Sequence, residues 1–143
     1  MKFLYVKFSL LVLATSLGLA QTVVAQDTAV CDAAAGTVEE IAERLDKMSE
    51  NPRRARMGVV MIGTSAAIAA AYATDAGWDD EDIAPMAALR DAREPDADGQ
   101  TMPAEDALIY VHAQGQALTG VLQGKCPDTP LVDLPADAPE IAQ

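Results

Sequence analysis

Histidine, cysteine, aromatic residues and basic charge are all scarce in this chain, and each scarcity removes a class of chemistry. His112 is the only histidine and Trp78 the only tryptophan. One histidine cannot supply the paired Glu-x-x-His motifs of a di-iron bundle. Two cysteines far apart in sequence, Cys31 and Cys126, make neither a Cys-x-x-Cys redox motif nor a haem-attachment motif, and they cannot form a structural zinc site. No glycine-rich phosphate loop is present. β-Branched residues nowhere alternate for long, so a sheet is not expected. Ten Lys and Arg stand against 22 Asp and Glu, a formal net charge of −12. Such a surface repels phosphates and anionic head groups, which argues against nucleic acid as a partner.

What is present begins with an address. Residues 1–25 have the three parts of a cleaved signal peptide: Lys2 and Lys7, an apolar run from Phe8 to Leu19, and small residues Val23 and Ala25 before a cut that leaves Gln26 first. The expected localisation is periplasmic or secreted. After the cut, 118 residues remain, with 8 basic and 22 acidic side chains and a charge of −14. Thr28 and Val30 do not suit a lipoprotein signal ahead of Cys31. In an oxidising compartment the two cysteines are therefore expected to form one disulfide, Cys31–Cys126.

The remaining pattern is helical and rich in alanine. A short helical stretch from Thr28 to Ala35 is expected to break at Gly36. The first full helix then runs from Val38 to Met48, started by a Thr37/Glu40 capping box and striped by Val38, Ile41, Leu45 and Met48. Glu40 with Arg44, and Glu43 with Lys47, have the spacing of ion pairs on its wet side. Asn51 and Pro52 mark the start of the second helix, which extends to Thr74 without a charge between Met57 and Ala73. Arg53, Arg54 and Arg56 would lie on the wrong side of a membrane after export, so this helix reads as the buried centre of the fold and no stable membrane insertion is expected once the signal is cut. A third helix is expected from Ile83 to Arg93, with Pro85 confined to its first turn. A fourth runs from Pro103 to Gln123, with Gly124 as its cap.

The fold class this predicts is all-α: a small up-down four-helix bundle spanning residues 26–126, closed by one disulfide, with a disordered acidic, Pro-rich tail at 127–143. With an even number of antiparallel helices, the start of the first and the end of the last share one end of the bundle, where Cys31 and Cys126 can meet.

The one motif with metal chemistry is the loop after the third helix. Glu94, Asp96 and Asp98 alternate, Gly99 follows, and Glu105 comes eleven residues after Glu94. With the Gln100 carbonyl, these positions match the ligands of a twelve-residue calcium loop, and Ca2+ is the only cofactor the sequence suggests. Glu94 in place of an aspartate, Thr101 in place of an apolar residue, and the absence of a second copy depart from that pattern. His112 has no evident nucleophile beside it and reads as structural. Ser65 lies inside a helix, where a back-bond to the preceding turn is expected. The overall layout and the segment Cys126-Pro127-Asp128-Thr129-Pro130-Leu131-Val132-Asp133 resemble the HdeA-type periplasmic acid-stress chaperones, which are small, helical and closed by one disulfide. The cysteine separation here is much longer than in that family. The function expected is non-catalytic: binding or stabilising a protein partner, in a chaperone-like role. The alternative is calcium binding through the 94–105 loop.

Overall fold

The structure, a computed structural model, describes residues 27–143, and the expected signal peptide lies outside the described residues. Among the described residues there are four helices and no strand: α1 (27–49), α2 (Pro52–Asp75), α3 (Asp80–Asp91) and α4 (Ala104–Lys125).

Gly36 does not break α1. Val30, Ala34, Val38, Ile41, Leu45 and Met48 recur every three or four residues and are all buried, so one stripe runs the whole length of the helix. A mid-helix glycine costs about 1 kcal/mol, less than the burial of Val30 alone returns. Thr37 is consequently interior and caps nothing. It is fully buried, and its hydroxyl donates to the Ala33 carbonyl at 3.1 Å. Ser65 Oγ of α2 lies 3.1 Å from Thr37 Oγ1. The Thr37 proton is already committed, so Ser65 is the donor in this interhelical bond rather than bonding back to its own turn. The Glu40–Arg44 ion pair forms as its spacing requires.

α2 starts where its capping residues place it. Asn51 Oδ1 accepts from the Arg54 N–H at 3.0 Å, and Pro52 occupies the first turn. It ends at Asp75, and the chain turns away at Gly77, whose φ of 77° is open to glycine at little cost, with the Trp78 N–H returning to the Ala73 carbonyl at 3.0 Å. α3 begins at Asp80, three residues before the expected start, because Asp80, Glu81 and Asp82 are themselves its first turn. Pro85 therefore lies in the second turn and leaves the Glu81 carbonyl without its helical donor. Glu81 is exposed, so solvent can satisfy that oxygen.

The core has two layers. One joins Val30, Ala34 and Val38 of α1 to Ala69, Ala70 and Ala73 of α2, Met86 of α3, and Leu118 and Leu122 of α4. The other joins Ile41, Leu45 and Met48 to Ile62, Ala66, Leu89, Leu108 and Val111. Helices α2 and α3 approach so closely that a Cβ on Gly63 would lie 2.7 Å from the Leu89 carbonyl oxygen.

Cys31 and Cys126 are bonded, with their Cα atoms 5.8 Å apart, as the parity of the bundle requires. Beside them Lys125 Nζ meets Asp82 at 3.1 Å and lies 5.6 Å from the centre of the Trp78 ring, tying the end of α4 to the start of α3. The chain-entropy contribution of a crosslink this long is about 4.5 kcal/mol. The bond belongs to a non-reducing, exported environment.

The tail departs from the expected disorder. After Cys126 it runs back along the bundle until the Ala142 N–H bonds the Ser49 carbonyl at 2.8 Å. Leu131, Leu134 and Ile141 pack on the core on the way, and Leu134 fills the space left by Gly115, where a Cβ would sit 2.8 Å from Leu134 Cδ1. Prolines between these residues restrict φ in the unfolded chain as well, so fewer contacts suffice to order the segment.

Candidate interaction surface

His112, Ser65 and both cysteines, singled out by the sequence, each have a structural task. His112 Nε2 lies 2.6 Å from the Pro135 carbonyl. A carbonyl only accepts, so this nitrogen carries the proton and clasps the tail to α4, assisted by Gln116 Nε2 at 3.2 Å from the same oxygen. Ser65 holds Thr37, and both cysteines are consumed in the disulfide.

The 94–105 loop does not gather its carboxylates. Asp96 Oδ1 accepts from the backbone N–H groups of Asp98 and Gln100, at 2.9 and 2.8 Å. The Gln100 carbonyl, the candidate seventh ligand, accepts from the Asp96 N–H at 2.8 Å. Gly99 turns the chain at φ 76°. Glu105 belongs to the first turn of α4. Among the described residues no three Asp, Glu, His or Cys side chains converge as a metal site. Nearby, Arg90 and Asp91 bond each other at 2.9 Å. That hydrogen bond raises the Arg90 pKa and holds the Asp91 carboxyl below its ordinary value.

The unexpected surface is on α2. The sequence places this helix at the buried centre, but only one side of it is buried, and that side is made of small residues: Ala55, Gly58, Gly63, Ala66, Ala69, Ala70 and Ala73, with Ile62 the one large side chain. The large residues face outward. Met57 is 55% exposed and Ile68 54%, and Val60, Met61 and Tyr72 are exposed with them. At about 1.5 Å per residue the stripe is about 22 Å long. Its threonine hydroxyls are spent locally, Thr64 Oγ1 on the Val60 carbonyl and Thr74 Oγ1 on the Ala70 carbonyl, each at 2.8 Å. By length and composition α2 is also the one described helix apolar enough to cross a membrane, with 39% of its most apolar window buried.

The two ends of the stripe carry opposite charge. At the start, Arg53 and Arg54 join Arg44 and Lys47 of α1 around a cleft that Met48 and Met57 also line, while Arg56 lines a separate cleft beside Arg93 and Pro103. At the far end stand Asp75, Asp79 and Asp80. Arg54 pairs with Glu50 at 2.8 Å, whereas Arg53, Arg56 and Asp75 make no ion pair among the described residues. Sequence reasoning found the charge-free run but could not say which way its large side chains point, because α2 is apolar on every side. No protein-family profile matches the chain, and neither a curated protein nor a solved structure matches it.

Proposed function

We propose that this chain is a non-catalytic protein of the periplasm or extracellular space that works by binding protein through the exposed face of α2. The observation that carries this reading is the outward stripe of Met57, Val60, Met61, Ile68 and Tyr72, uninterrupted by charge. Soluble proteins rarely leave large contiguous apolar surface without a partner for it. The engagement of His112, Ser65 and both cysteines in structural bonds supports a role without catalysis. Asp96 spends an oxygen on its own backbone, which supports a structural acidic loop. Millimolar calcium is accordingly expected to leave the melting temperature unchanged.

Light scattering from a heat-aggregating client protein tests the binding role. The oxidised wild type should delay aggregation, and Ile68→Glu should lose most of that effect while keeping its helical circular dichroism. Equal behaviour of the two proteins overturns the reading.

A further inference from the structure

We infer that the α2 face also binds a second copy of this chain, packed antiparallel about a two-fold axis passing between Thr64 and Ser65. This rests on reading the α2 face as a protein-binding surface, and it names a partner. A complementary partner must be apolar in the middle, acidic beside Arg53 and Arg54, and basic beside Asp75. The chain's own α2, reversed, meets all three requirements.

The register is as specific as the charge. Met57 and Tyr72, Met61 and Ile68, and Arg54 and Asp75 are three pairs with one shared midpoint, between Thr64 and Ser65. A two-fold axis there sets Met57 against Tyr72 of the second copy and Met61 against its Ile68, while Arg54 approaches its Asp75. The residues at the axis are small, as a close helix crossing needs. A parallel pairing would set three arginines against three arginines and is disfavoured by like charge. The overall negative charge of the two copies opposes association. Screening over about 8 Å at physiological salt confines that repulsion to nearby groups, and α2 carries no acid between Arg56 and Asp75. A stripe about 22 Å long and one helix wide is a small interface, so the dimer is expected to form reversibly in the micromolar range.

Sedimentation velocity of the exported, oxidised protein over a concentration series is the test. Wild type should pass from monomer to dimer. Met61→Lys and Ile68→Glu should each weaken the dimer by more than about tenfold without loss of helix content, since both side chains are exposed. An equimolar mixture of the two variants should regain a dimer, because the antiparallel register sets the substituted lysine against the substituted glutamate. Thr64→Cys should crosslink between copies under mild oxidation. A wild type that stays monomeric throughout, or a dimer indifferent to Ile68→Glu, overturns the inference. If the wild type is monomeric yet Ile68→Glu still abolishes client protection, the dimer fails and the binding face stands. Co-sedimentation of monomeric wild type with phospholipid vesicles, lost in Ile68→Glu, overturns the dimer in favour of a membrane surface.

Discussion

The two sides of α2 invert the usual amphipathic helix. Its inner side is alanine and glycine with Ile62 the one large side chain, and its outer side carries methionine, isoleucine, valine and tyrosine. On the inner side three other helices must fit around one axis, and small residues let their backbones approach while Ile41, Leu45, Met86 and Leu118 fill the space from the neighbouring elements. The fold therefore asks α2 for absence of bulk. On the outer side nothing in the bundle asks for bulk, yet the large apolar residues are there. Folding accounts for the inner face; the outer one is the face we propose for association.

Substitutions that separate folding from association can break or sharpen this contrast. The largest loss should come from the bond that closes the inner architecture. Cys31→Ser combined with Cys126→Ser is expected to cost about 2–5 kcal/mol, measured by urea denaturation. An undiminished midpoint would show that packing alone holds the small core. Next is Gly63→Leu on the inner face, where the added side chain collides with the Leu89 carbonyl and should cost about 1–3 kcal/mol or more. The same assay on Leu134→Ala should give about 1–2 kcal/mol, below the range for a fully buried leucine because Leu134 is only partly covered. A value near zero would detach the tail from the core. On the outer face, Ile68→Ala should change stability by no more than about 0.5 kcal/mol, and a larger cost would mean that the fold does use that face.

The smallest effect concerns Asp91. Its folded pKa is depressed by Arg90, so the pair stabilises the protein above the unfolded carboxyl pKa and ceases to do so as pH falls through the folded value. Asp91 is highly exposed, and Asp91→Asn should cost at most a few tenths of a kcal/mol at neutral pH. The difference from wild type should vanish in strong acid.

Much of the scaffold was legible because it is written in local signals. Asn51-Pro52 marks the start of α2, the 3–4 spacing of Val38, Ile41, Leu45 and Met48 marks the buried side of α1, and helix parity anticipates where the two cysteines meet. The misreadings arose where a local signal lost to packing. Gly36 reads as a break and Thr37 as a cap until a stripe extending to Val30 makes one longer helix worth more than two shorter ones. Four prolines and four acids read as disorder in the tail, but Leu131, Leu134 and Ile141 find cover. The candidate site was the least legible part. Asp96, chosen for its spacing, turns its carboxylate to its own backbone, whereas Met57, Met61, Ile68 and Tyr72 lie exposed on a helix whose charge-free run reads as a buried centre.

By itself the sequence determined the helical class, the one available disulfide pairing, and a long stretch without charge. Those follow from side-chain periodicity, capping chemistry and a count of two thiols, all of which act along the chain. Only the tertiary structure decided which side of that stretch is buried. A helix apolar all round has no preferred face until neighbours compete for it, and close packing of three helices selects the side with the least volume. The large side chains are left outside, available to a partner.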